Sequence, residues 1–176
     1  MTDARIERIR AHIRDVPDFP KPGILFKDIT PLLATPPVFA EVLDAFEEHF
    51  AAERPDAVVG IESRGFIFGA VLAARMRLPF VPARKPGKLP AATDRVEYSL
   101  EYGTDAIEMH VDALNEGQRV VLIDDLIATG GTAAAALELI RRRGATPVGA
   151  GFVIELSFLE GRAKMGDVPV HSLLTY

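Results

Sequence analysis

The chain has 176 residues, 48% of them hydrophobic, carries a formal net charge of −5 and contains no cysteine. That length and hydrophobic share fit one domain with a sizeable core and exclude a disordered chain, while the lack of cysteine excludes a disulfide framework and a cysteine-based zinc site. The acidic balance argues against bulk nucleic-acid binding, and with no apolar run of about 18 residues and no apolar leader core the expectation is a soluble, cytoplasmic protein.

Residues 3–14 read as a short helix with Ile6, Ile9 and Ile13 on one face. Asp15 to Gly23 holds Pro17, Pro20 and Pro22 and is expected to be irregular. Ile24-Leu25-Phe26 makes a brief extended piece before Lys27-Asp28-Ile29-Thr30-Pro31. Thr35 followed by Pro36 is a helix start, and Val38, Phe39, Val42, Leu43, Phe46 and Phe50 keep helical spacing over residues 37–52. His49, near the end of that helix, reads as a surface histidine.

Ala57 to Ile61 is a buried strand that ends in Glu62-Ser63-Arg64-Gly65, and Phe66 to Met76 is the next helix. Arg64 either pairs with Glu62 or turns its guanidinium to an anion at the strand's carboxyl end. Phe80 to Ala83 is another strand, which delivers Arg84-Lys85-Pro86-Gly87-Lys88-Leu89-Pro90. Three cations on a stiff turning loop are an ordinary solvated surface unless an anion site lies beside them. Val96 to Tyr102 and Ala106 to Val111 alternate as two strands joined at Gly103-Thr104-Asp105, an antiparallel ribbon of the kind that forms lids and excludes water.

Val120-Val121-Leu122-Ile123 is a short apolar run, which reads as a buried parallel strand. Asp124 and Asp125 follow, then Ala128-Thr129-Gly130-Gly131-Thr132, then helix formers from Thr132 to Arg143. Paired glycines let the backbone turn and approach a ligand, and the amides of the loop and of the helix start can meet an anion. Two adjacent carboxylates repel unless a cation or hydroxyl donors meet them. Phosphate and acid side by side point to a phosphorylated sugar, with its phosphate in the loop and its hydroxyls on the aspartates. A Walker loop would need a lysine before the last threonine, and the dinucleotide fingerprint G-x-G-x-x-G is absent. Arg141, Arg142 and Arg143 sit at the negative end of the helix, and Gly144 terminates it. Pro147 to Glu155 is a further parallel strand, residues 159–164 make a turn, and Pro169 to Thr175 is an edge strand.

The stretch VVLIDDLIATGGT resembles the phosphoribosyl-pyrophosphate (PRPP) binding motif of the type I phosphoribosyltransferases. Its Leu126-Ile127-Ala128 is similar to the form found in the adenine phosphoribosyltransferase family. Four more segments resemble that family in order: FPKPGILFKDITPLL, GIESRGFIFG, RKPGKLP and YSLEYG. The resemblance covers nearly the whole chain. It implies a type I phosphoribosyltransferase fold, an α/β domain over residues 1–176 whose mainly parallel sheet of four or five strands is flanked by helices. A small hood over about residues 1–35 and a hairpin lid over about residues 84–111 would complete it.

The implied reaction is adenine plus PRPP giving AMP and pyrophosphate, with Mg²⁺, in a homodimer. Asp124 and Asp125 would hold the ribose hydroxyls and stabilise developing ring charge, and Ala128, Thr129, Gly130, Gly131 and Thr132 would bind the 5′-phosphate. Arg64, Arg84, Lys85 and Lys88 would bind the diphosphate. Leu25, Phe26, Lys27 and Ile127 would form the adenine site, with Phe26 stacking on the purine, and Glu101 would exchange a proton with the base. No dedicated protein cage is expected for the metal. Two rivals stand: a PRPP-dependent transferase for another base, a 6-oxopurine or orotate, and a non-catalytic PRPP-sensing regulator. Both fit less well, the first because those enzymes lack YSLEYG, the second because no segment is spare for DNA binding. Gly130→Val is expected to weaken PRPP and AMP binding while leaving the fold intact.

Overall fold

The computed structural model describes residues 3–99 and 104–176, which divide into two compact units, Met1–Phe46 and Glu47–Tyr176. In the first unit, α1 (Asp3–Arg10) is followed by β1 (Arg14–Pro17), β2 (Leu25–Asp28), α2 (Thr30–Leu33) and the body of α3 (Pro36–Phe50). The helix expected over residues 3–14 therefore stops four residues early, and part of the segment expected to be irregular is a strand. β1 pairs antiparallel with β2, with Val16 opposite Phe26 and Pro17 opposite Leu25. Proline is tolerated because this is a two-stranded ribbon and Pro17 ends its strand. Charges staple the ribbon: Arg14 meets Asp28 at 2.5 Å, and Lys27 meets Asp15 at 2.6 Å. The Asp28 carboxylate also accepts hydrogen bonds from the Thr30 amide and hydroxyl, both at 2.8 Å, which starts α2. Thr35 donates its hydroxyl to the Pro31 carbonyl at 2.9 Å rather than serving α3 as expected, while its own carbonyl accepts the amides of Val38 and Phe39.

The second unit is built on a five-stranded parallel sheet: β3 (Ala57–Ile61), β4 (Phe80–Ala83), β7 (Arg119–Ile127), β8 (Thr146–Glu155) and β9 (Val170–Thr175). Between β4 and β7 runs a separate antiparallel hairpin, β5 (Thr93–Ser99) and β6 (Thr104–His110). Both strands begin a few residues earlier than expected and β6 ends one residue earlier, while Leu100, Glu101, Tyr102 and Gly103, where the first strand was expected to end, lie outside the described residues. The sheet order is β4-β3-β7-β8-β9, with β7 in the middle and β9 at an edge. Val120, Val121, Leu122 and Ile123 are each fully buried. At about 1.5–3 kcal/mol for each large aliphatic side chain removed from water, this run holds the sheet's centre. Helices α4 (Gly65–Met76) and α5 (Gly131–Arg142) make the β3–β4 and β7–β8 crossovers. Among the described residues no helix is long and apolar enough to cross a membrane.

β7 departs from the sequence reading. It does not stop at Ile123 but continues to Ile127, with Asp124 opposite Phe152 and Leu126 opposite Ile154 of β8. The acidic pair therefore stands within the strand, its two side chains directed to opposite faces. Because all five strands run the same way, Glu62 to Arg64, Arg84 and Lys85, and Ala128 to Thr132 all leave the sheet at one edge, where Asp124 and Asp125 stand near the end of β7.

Two further contacts define the periphery. The last turn of α3 carries His49, which stacks on His171 of β9 with ring centroids 3.7 Å apart and planes 6° apart. It is thus an aromatic partner rather than only a surface charge. At the far end of α5 the arginines do more than cap the helix: Arg143 pairs with Asp94 at 2.7 Å and donates to the Val111 carbonyl, and Arg142 donates to the Arg95 carbonyl. They fasten α5 to the base of the β5–β6 hairpin.

Candidate active site

Gly130 takes φ 74°, and α5 starts at the next residue with no side chain capping it. The first amides of a helix have no intrahelical partner, so this start offers donors to an anion. Asp124, Leu126 and the loop from Ile127 to Ala133 enclose a recess of ≈ 110 Å³. Beside it lies a larger recess of ≈ 480 Å³, bounded by Ile61 to Arg64, Lys85, Asp124 to Leu126 and Thr132. Asp124, Leu126 and Thr132 line both. The structure thus brings together Arg64, Lys85, Asp124, Asp125 and Thr132, and places the rest of the Ala128–Thr132 loop and the buried Ile127 alongside. The closeness is set by Gly65, where a Cβ would meet the Ile123 carbonyl oxygen at 2.7 Å and the Asp124 carboxylate at 2.8 Å.

The acidic pair is electrostatically distinct. Asp124 accepts the amide of Asp125 at 2.8 Å, and burial with the neighbouring Asp125 charge pushes its carboxyl well above the usual carboxylate range. Asp125 is only 3% exposed and is also raised by burial, with the Arg64 guanidinium working against the shift. Arg64 Nε lies 2.8 Å from Asp125 Oδ2, an ion pair that ties the guanidinium to the acidic pair. Arg64 therefore meets Asp125, where the sequence had offered Glu62 as a partner. Glu62 is instead gripped by Arg84 through two hydrogen bonds, at 2.7 and 3.1 Å, and accepts the Lys85 amide at 3.0 Å. That pairing holds the Glu62 carboxyl below its ordinary value.

The cations of the Arg84–Pro90 loop divide. Lys85 lines the larger recess and reaches the hairpin, where its ammonium meets the Asp105 carboxylate and, at 2.9 Å, the Tyr98 hydroxyl. Burial alone would lower the Lys85 pKa, but Asp105 and Tyr98 hold it raised. Arg84 also donates to the Lys88 carbonyl at 2.8 Å, and Lys88 itself is exposed. Arg84 and Lys88 do not line either recess. Ser63, Leu126, Tyr98 and Asp105 also belong to this neighbourhood; the first three stand inside the family-like segments, whereas Asp105 carries no local signal of a site.

Leu25, Phe26 and Lys27 lie in the first unit. Phe26 meets Phe19 edge to face, centroids 5.1 Å apart, and with Val16 and Asp28 they line a mostly apolar recess of ≈ 260 Å³. Leu25 is 49% exposed, whereas Lys27 is buried against Asp15. Glu101, the expected proton-exchange group, lies outside the described residues.

A phosphoribosyl transferase domain matches residues 28–169. The adenine phosphoribosyltransferase of Sorangium cellulosum is 58% identical over 173 residues, covering 96% of this chain and 86% of that one. This chain belongs to the adenine phosphoribosyltransferase family. Crystal structures of family members superpose closely. The Rhodothermus marinus enzyme gives a TM-score of 0.95 at 50% identity over 99% of this chain and all of that one. The Saccharomyces cerevisiae enzyme, crystallised with adenine and an imino-altritol bisphosphate, gives 0.93 at 42% identity over 98% and 100%. The five-stranded parallel sheet flanked by helices is accordingly the type I phosphoribosyltransferase fold.

Proposed function

We propose that this chain transfers the 5-phosphoribosyl group of PRPP to adenine, giving AMP and pyrophosphate as a purine-salvage step. One observation carries the reading: the partly open carboxylate of Asp124 lines both a small recess at an uncapped helix start and a larger recess that also presents Arg64 and Lys85. The first suits a 5′-phosphate, the second a ribose and its diphosphate.

In this reading the amides of Ala128 to Thr132, with the hydroxyls of Thr129 and Thr132, bind the 5′-phosphate. Asp124 and Asp125 accept the ribose 2′- and 3′-hydroxyls. Adenine's ring nitrogen bonds to C1 of the ribose as the bond from C1 to the diphosphate oxygen breaks, and positive charge develops on the ring. Fixed carboxylates stabilise that charge best in a site from which water is excluded. Arg64 and Lys85, with Arg84 and Lys88 from the same loop as Lys85, balance the departing diphosphate. Arg64, Arg84 and Lys85 each have a carboxylate partner within the protein, so diphosphate binding would exchange one anion for another. Phe26, with Leu25 and Lys27 beside it, is read as the adenine-binding segment, and Glu101 as the group that takes the proton the base must lose.

The donor set also fits Mg²⁺. A pair of carboxylates next to a phosphate site suits a hard cation that arrives on its substrate. When bound, Mg²⁺ would neutralise diphosphate charge, and Asp124 or Asp125 would be the residues to hold it. Homodimer assembly and a cytoplasmic location complete the proposal. Ile67 and Val71, one turn apart on α4 and each 38% exposed, give an apolar stripe suited to a partner. The test is AMP formation from PRPP with Mg²⁺ and adenine, against hypoxanthine, guanine and orotate. Adenine should be used alone. Turnover of another base would establish the first rival, and PRPP binding without turnover of any base would establish the second.

A further inference from the structure

Behind the phosphate loop, the chain leaves β8 at Glu155 and forms two short 3₁₀ turns, Ser157–Leu159 and Gly161–Met165. The second presses on the loop from below. A Cβ on Gly161 would collide with the Ala128 carbonyl oxygen and lie 2.8 Å from the Gly130 amide nitrogen, and a Cβ on Gly130 would collide with the Gly161 carbonyl oxygen. The two backbones are thus in direct contact, and either can move only if the other does.

What fixes the Gly161 turn is the next residue. Arg162 donates to both oxygens of the buried Glu155, Nε at 3.0 Å and Nη2 at 2.6 Å, and its Nη1 donates to the Val170 carbonyl at 2.9 Å. Ser172 of β9 donates to the same carboxylate at 2.6 Å. A two-pronged guanidinium–carboxylate pair holds orientation as well as distance, which a lysine could not reproduce. The staple joins the turn to the two outermost strands on the β9 side of the sheet.

We infer that Arg162, locked by Glu155 and Ser172, is a positioning residue for the 5′-phosphate: it holds the Gly161 backbone against Ala128–Gly130 and so fixes the loop that binds the phosphate. This rests on the reading of Ala128–Thr132 as the phosphate cradle. Arg162 itself touches no substrate. Its loss lets the turn and the loop relax together, and the fault appears in phosphate binding before it appears in the chemical step.

The experiment compares Arg162→Ala, Arg162→Lys, Glu155→Gln and Thr132→Ala with the parent, each checked by melting temperature. The measurements are KM for PRPP, KM for adenine, kcat at saturation, and the Kd of AMP by calorimetry. Arg162→Ala should raise the PRPP KM and the AMP Kd about tenfold, inside the ~10²-fold that a 1 Å misplacement can cost. KM for adenine and kcat should stay within about twofold of the parent, with Arg162→Lys recovering only part of the loss. Glu155→Gln, which keeps the side chain's size, should shift the same two constants by a smaller factor and serves if Arg162→Ala folds poorly. A lowered melting temperature with unchanged PRPP KM and AMP Kd in both the Arg162 and Glu155 variants overturns the inference. If that occurs while Thr132→Ala weakens AMP, the phosphate reading stands and only the positioning role falls. If Thr132→Ala also leaves AMP affinity unchanged, the phosphate reading itself has failed.

Discussion

Gly130→Ala is the sharpest probe of the phosphate loop, and the structure changes what that probe does. At φ 74° an alanine enters the left-handed region, at a cost of about 1–2 kcal/mol. Its Cβ would also lie about 1 Å inside the 3.4 Å at which ordinary contact with the Gly161 carbonyl begins, and that neighbour is backbone that cannot rotate away. The loop must therefore shift by roughly 1 Å, a displacement that can cost on the order of 10²-fold at a binding or reacting centre. We expect the AMP Kd and the PRPP KM each to rise by about that factor, with a lower melting temperature and little change in adenine KM. Gly130→Val, which sequence alone recommends as a fold-preserving variant, adds a branched side chain to the same clash and is unsuitable. Calorimetry with AMP on the folded alanine variant decides the matter. An AMP affinity within twofold of the parent would refute the placement of phosphate on this backbone.

Asp124 binds its proton more tightly folded than unfolded, so its contribution to stability is present below the ordinary carboxylate value and is lost as pH rises through the raised value. Asp124→Asn should then melt higher than the parent at pH 7 while kcat falls about 10²–10³-fold and AMP affinity changes less; parental kcat would make the carboxylate merely structural. His171 is carried from 6.5 down to about 4 by burial and by the stacked His49, so its contribution is present above the ordinary value and lost as pH falls toward 4. His171→Gln should flatten the acid-side drop in urea midpoint between pH 7 and about pH 4.5, and an unchanged slope would contradict the assignment. Glu101→Gln should slow turnover at least about tenfold with PRPP binding held within a few fold, and parental turnover would send the base's proton elsewhere.

Sequence alone determined the features whose causes are local. A run of four aliphatic residues, a Thr-Gly-Gly-Thr turn and an alanine-rich stretch read as strand, tight loop and helix, because periodicity, glycine freedom and helix propensity act within a few residues. The same holds for Arg64 after Ala57–Ile61 and for the cations after Phe80–Ala83. Tertiary structure decided whatever depends on a distant partner. Pairing with β8 carries β7 on through Asp124 to Ile127, and pairing with Leu25–Asp28 turns the proline-containing Arg14–Pro17 into a strand. Glu62 belongs to Arg84 rather than Arg64, Arg142 and Arg143 fasten the hairpin, and His49 finds His171 across more than a hundred residues. Gly161 and Arg162 carry no local mark of their place beneath the phosphate loop. A side chain's charge and shape are written at its own position, but the group that satisfies it is chosen by packing, and packing is a property of the whole fold.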